Sequence, residues 1–213
     1  MSADRRLVVI GEAPLATLAA AIGVMERGTA NVRVVELSPD RIAPDPLDFL
    51  HDDPAEATDV FAAIGPSALN YARFDLWAKL RMKGYRCATL VHPRAHVEPS
   101  VSLADNVLVG PNASIESEVR IGRGTIVGAA TSIGTAATIA PWCWLARGVV
   151  IGAQASIGAH TALGTGVQLA DRTQFPGPGE IDVAGAYRGT YPAGTFVSPE
   201  FRTGAARLVR AGT

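Results

Sequence analysis

Residues 121–139 read IGRGTIVGAATSIGTAATI, with an aliphatic side chain at Ile121, Val127, Ile133 and Ile139. The six-residue interval continues outward without a slip. It runs back through Ile115, Val109, Leu103 and Val97 to Val91, and forward through Leu145, Ile151, Ile157 and Leu163 to Leu169. Four residues after each aliphatic stands a small or β-branched residue, from Ala95 and Val101 to Val167 and Thr173, and the residue just after it is most often Gly or Ala. This is the hexapeptide pattern of a parallel β-helix. Each hexad makes a short strand and turns one corner of a three-sided prism. The aliphatic fills the middle of a side, the small residue fits the corner, and Gly or Ala permits the bend. Three hexads close a coil, so the run predicts roughly four and two-thirds coils, a column a little over about 20 Å tall.

Coils of this kind cannot bury their core singly and need caps. Phe175 takes the next aliphatic slot with a large ring, and Pro176-Gly177-Pro178-Gly179 then reads as the end of the strand pattern. Upstream the texture changes. Strands are expected over 7–10, 32–37 and 60–64, and a helix over 15–25. A second helix is expected with Ser67 as its cap, Leu69, Ala72, Leu76 and Leu80 at helical spacing, and Gly84 as its stop. Residues 38–58, with Pro39, Pro44, Pro46 and Pro54, read as an irregular connection. The predicted architecture is an α/β N-terminal domain over 1–90, a left-handed parallel β-helix over 91–175 and a C-terminal tail over 176–213.

A formal net charge of −1 with no basic face argues against nucleic acid as a partner. The apolar run after Arg5 and Arg6 is broken by Glu12, which is neither a signal peptide nor a membrane span, so the chain is expected to be cytoplasmic and without a membrane partner. Cys87 and Cys143 lack metal-ligand spacing, and Cys143 falls on an inward corner, so no metal is expected.

The stretch Ala62-Ala63-Ile64-Gly65, the helix with Leu69-Asn70 and Arg73, the turn Lys83-Gly84-Tyr85 and the entry Leu90-Val91-His92-Pro93-Arg94-Ala95 resemble the bacterial hexapeptide-repeat sugar acyltransferases related to sialic acid O-acetyltransferase and bacillosamine N-acetyltransferase. The similarity runs from about residue 60 to 175. It implies a homotrimer with acetyl-coenzyme A as co-substrate between neighbouring columns. It also implies attack on the thioester by an amino or hydroxyl group of a nucleotide-linked sugar, a histidine as base with an acidic helper, and a nucleotide held by the α/β domain. Such a nucleophile is poor until a proton leaves, which is why the base matters.

At the position that matches the family's histidine this chain has Ala129, and Ala130 stands in place of the acid. The histidines present are His51, His92, His96 and His160. His92 and His96 fall about two coils below Ala129, some 10 Å away by stacking height alone. His92 reads as a cap for local backbone groups. His160, eighteen residues after Trp142, is expected to stack outward over that indole, either as packing or as a displaced base with Trp142 as a ligand platform. Arg147, eighteen after Ala129, is a candidate for a coenzyme A or sugar-nucleotide phosphate. Trp142 and Trp144 are forced outward by the hexad register and suggest a trimer face. In the α/β domain, Gly11-Glu12-Ala13-Pro14 is a weak version of a phosphate-binding turn. Two functions stay open: an acyltransferase-like protein with an atypical site, and a non-catalytic trimeric β-helix that binds or scaffolds. The histidines are too few and badly spaced for a third possibility, a zinc carbonic anhydrase.

Overall fold

The computed structural model describes residues 5–37, 47–199 and 207–208. Part of the irregular connection, 38–46, lies outside them. A parallel sheet of four strands opens the chain, with β1 (Arg6–Gly11) between β2 (Val32–Glu36) and β3 (Thr58–Ala63), and the short β4 (Arg86–Cys87) beyond β3. β1 and β3 are buried along almost their whole length, which is why both read as continuous apolar runs. α1 (Leu15–Arg27) and α2 (Tyr71–Met82) provide the crossovers.

The rest is the expected left-handed β-helix. Two-residue strands such as Ile126–Val127 and Ser132–Ile133 pair in parallel with the strand eighteen residues away, and the aliphatic slots line a single core. One expectation about it fails. The ladders do not stop at Phe175: Gly179–Ile181 pairs with Thr161–Leu163, Gly185–Tyr187 with Val167–Leu169, and Thr195–Val197 adds above them. Ile181 and Tyr187 keep the sixfold register across the Pro-Gly segment, which turns a corner rather than ending the stack. The upper core is closed by Phe175 against Tyr191, with ring centroids 5.7 Å apart.

The glycine after the aliphatic slot also has a different task from the one expected. A Cβ on Gly128 would lie 2.7 Å from the carbonyl carbon of Ala146 in the coil above, so this position is held by close backbone approach. The bend falls two residues later. The third residue after every slot from 103 to 169 takes a left-handed backbone, including Asn106, Ala130, Ala136, Trp142, His160 and Arg172. An alanine there works against its own Cβ, at about 1 kcal/mol. Ala136→Gly is therefore expected to raise the melting temperature by about 2–4 °C. A thermal melt showing a drop would contradict this.

The α/β domain docks on one face of the column. The outward residues of that face, Leu90, Leu108, Ile126 and Trp144, join Leu7, Val9, Leu15, Ala19, Ile22 and Phe61 in a shared core. Trp144 therefore packs inside the subunit. Its indole is thus not the open outward surface that the hexad register predicts.

Candidate functional site

The joint between the domains is built on α2 and the segment before it. Ser67 does not cap the helix. The chain instead takes three consecutive left-handed steps at Ala68, Leu69 and Asn70 before Tyr71 starts α2. This delivers Arg73, which is fully buried, into the seam. Its guanidinium donates to five acceptors. They are the carbonyls of Ile64 (2.6 Å) and Gly65 (3.2 Å), Asn70 Oδ1 (2.8 Å), and the carbonyls of Gly124 (2.8 Å) and Cys143 (3.2 Å) on the column. Burial pulls Arg73 down to about 10, so it stays charged at neutral pH. Cys143 is buried, and burial pushes its thiol up to about 12, as an inert core thiol requires.

Trp142 and His160 belong to the same joint. Trp142 is 5% exposed; its indole lies back over Gly124 and meets the edges of Phe74 and Trp77 of α2, at 5.3 and 5.2 Å between centroids. His160 stacks on Tyr71 (3.9 Å, 11°) and not over Trp142, with Nδ1 3.0 Å from the Leu69 carbonyl. Neither lines the large cleft described next. The expected outward ladder of indole and imidazole is replaced because α2 covers the corner. His160→Ala should therefore cost about 2 kcal/mol from the lost stack and hydrogen bond. Measured by melting, that is a fall of roughly 4–8 °C, with no change in ligand binding to the cleft. His92, for its part, accepts the Arg94 amide at Nδ1 (3.0 Å), which makes it the local cap expected of it.

The large cleft, about 650 Å³, opens between the two domains. One wall is the β1–α1 turn from Glu12 to Leu15 with Leu18, and Gly65 and Pro66 close one side. The opposite wall is the docked face of the column, where Ala129, Arg147 and Thr165 rise one above the other at eighteen-residue intervals beside Ile126 and Trp144. Ala129, the position that the resemblance matches to the family's histidine, and the candidate phosphate-binding Arg147 thus share one cavity. The charged groups on its wall are Glu12 and Arg147, and among the described residues neither side chain has a hydrogen bond or ion pair. Apolar walls strengthen any charge–charge contact made inside. Gly11, expected as part of a degraded phosphate turn, is needed for another reason. A Cβ there would lie 2.0 Å from the Ala63 carbonyl oxygen, so it permits β1 and β3 to pair closely. Ala129 lines the same cavity as the α1 N-terminus, whose first turn carries no acidic residue.

Sequence reasoning brought Ala129 and Arg147 together correctly by counting eighteens. It missed Glu12 as a cleft residue, because only the docking of the α/β domain carries the β1–α1 turn over the column. Asn70 and Arg73 carry part of the resemblance in sequence; their physical role is the seam.

No curated protein matches the sequence. A family model, the GMPPB C-terminal domain, matches residues 86–175. Among solved structures, the acetyltransferase domain of PglB from Neisseria gonorrhoeae is similar over 96% of this chain and 100% of its own, with a TM-score of 0.79 and 20% identity. A histidine-to-alanine mutant of GDP-perosamine N-acetyl transferase from Caulobacter crescentus, in complex with CoA and GDP-perosamine, is similar over 97% of both chains (TM-score 0.62, 21% identity). WeeI from Acinetobacter baumannii is similar over 96% of this chain and 100% of its own (TM-score 0.61, 17% identity). The chain therefore has the fold of the hexapeptide-repeat sugar acetyltransferases, a small parallel α/β domain docked on a left-handed β-helix.

Proposed function

We propose that this protein is acyltransferase-like: it binds an acyl-coenzyme A and a nucleotide-linked sugar, as a homotrimer, with an acyl-transfer site that has lost its standard base. The observation that carries this reading is the interdomain cleft, which joins the helix start of the α/β domain to the column at Ala129 and Arg147. Arg147 offers a full positive charge and the helix start a partial one to a sugar-nucleotide diphosphate, against the opposing charge of Glu12 on the same wall, and the apolar floor of Ile126 and Trp144 suits a ring. Likeness in fold to proteins described as acetyltransferases, one of them crystallised with CoA and GDP-perosamine, supports the substrate classes. Trimer contacts would use the two column faces that the α/β domain leaves uncovered.

A non-catalytic reading is favoured by one specific observation: among the described residues, no imidazole lines the cleft. Calorimetric titration separates the possibilities. Wild type is expected to bind acetyl-coenzyme A and at least one of UDP- or GDP-linked sugars, and Arg147→Ala should weaken the sugar nucleotide about tenfold through one lost charge-assisted contact. Binding of neither ligand would overturn the proposal. Binding without release of free coenzyme A would leave a ligand-binding protein in place of an enzyme.

A further inference from the structure

A second pocket, about 300 Å³, lies apart from the large cleft and shares no wall residue with it. It is lined by Trp77 and Arg81 of α2, Arg86 and Cys87 of β4, and Asp105 and Arg123 on successive coils of the column. Three guanidinium groups from three separate elements meet at one small cavity in a chain whose formal net charge is −1.

The local carboxylates do not balance them. Asp105 accepts from Trp77 Nε1 at 2.9 Å and lies 3.8 Å from Arg123. Arg86 donates twice to Asp59, at 2.8 and 2.7 Å, but Asp59 also accepts from Arg5 and Arg27, each at 2.8 Å. Among the described residues, five guanidinium groups thus face two carboxylates. Burial opposes ionisation of Asp59, but the hydrogen bonds from Arg86, Arg5 and Arg27 outweigh it and hold the group at about 2, so it is already fully charged at neutral pH and can offset no more. Cys87 adds no negative charge, because burial pushes its thiol up to about 12.

The donors are also only partly used. Arg81 spends one nitrogen on the Tyr85 carbonyl (2.9 Å). Arg123 lies over the Trp77 ring at 5.2 Å, a contact that orients the guanidinium without consuming its N–H groups. With that face of Trp77 covered, the pocket is shaped for the anionic end of a ligand. Guanidinium forks match tetrahedral phosphate oxygens, and several of them around one cavity match more than one phosphate.

We propose that this pocket is a second ligand site, which takes a compact anion carrying phosphate or diphosphate groups. It stands independently of the function proposed for the large cleft.

The test is calorimetric titration of the full chain with inorganic pyrophosphate at low ionic strength, where screening is least. Wild type should show saturable binding, with one site per chain that depends on Arg81 and Arg123. Arg123→Gln and Arg81→Gln should each weaken it about tenfold, while melting temperatures confirm that both variants stay folded. Both side chains are solvent-accessible, and Arg86, which holds Asp59, is left in place. Arg188→Gln, at an exposed residue that lines neither cavity, should leave pyrophosphate binding unchanged. Failure of wild type to saturate overturns the site, as does affinity that the Arg81 and Arg123 variants preserve or that the Arg188 variant abolishes. Coenzyme A titrated into the pyrophosphate-loaded protein identifies the natural source of the group. Competition assigns the diphosphate to coenzyme A, independent binding assigns it to a separate phosphorylated metabolite, and either result upholds the pocket.

Discussion

Arg73→Ala is expected to destabilise the protein by about 3–5 kcal/mol, the range for removing one partner from a buried charged network. For a chain of this size that is a melting temperature lower by roughly 10 °C. Replacing a buried ion pair with apolar residues is sometimes harmless, because both partners can be replaced together. Here four of the five acceptors are backbone carbonyls, on Ile64, Gly65, Gly124 and Cys143, which no substitution can remove. Arg73→Met should therefore be nearly as costly as alanine. Arg73→Lys should recover little, since one ammonium cannot reach acceptors spread across both domains. Trp144 lies 5.9 Å from the same guanidinium, and Trp142 packs on α2, so loosening of the joint should also shift tryptophan emission to the red. An Arg73→Met protein that melts within two degrees of wild type would show that the seam is held by the apolar core alone.

That seam marks the boundary of what was legible in the sequence. The column was readable because its period is local: a slot every six residues says where each side chain points without any knowledge of what lies outside. The eighteen-residue interval also marks which face is covered. Leu90, Leu108, Ile126 and Trp144 recur every eighteen residues just before a slot, whereas a second face carries Ser102, Arg120, Thr138 and Ser156 at the equivalent place. An apolar stripe confined to one face says which side of the prism is covered. Likewise Phe175, Ile181 and Tyr187 continue the slots, but the aromatic rings and the Pro-Gly segment looked like an ending.

What was not legible depends on contacts between distant segments. Arg73 in a helix reads as a solvated residue, and only the left-handed steps at Ala68, Leu69 and Asn70 turn it inward. His160 looked like an outward imidazole because nothing in its own hexad announces Tyr71, which arrives from 89 positions earlier. The localisation inferred from the N-terminal run has a limited structural counterpart: among the described residues, no helix is long and apolar enough to cross a membrane.

Placing a base at Ala129, where the proposed function expects one, should have the largest effect on chemistry. Ala129 is part of the cleft wall, directly below Arg147, so a histidine there would project into the cleft proposed to hold the substrates. Ala130 occupies a left-handed corner (φ 56°), a conformation that aspartate tolerates better than most residues, so the orienting acid can be added without a new backbone penalty. The double variant Ala129→His with Ala130→Asp is therefore expected to raise acyl transfer by about 10²- to 10⁴-fold over the parent, the usual contribution of a positioned general base. The assay is release of free coenzyme A with a panel of amino and hydroxyl sugar nucleotides. Since His160 is held under Tyr71, the remaining proton acceptor with a charged form on the cleft wall, among the described residues, is Glu12. A parent that already turns over should accordingly lose most of its activity in Glu12→Gln and none in His160→Ala. If the double variant binds both substrates and stays as slow as the parent, the acceptor group does not reach Ala129, and the cleft holds its ligand for a purpose other than acyl transfer.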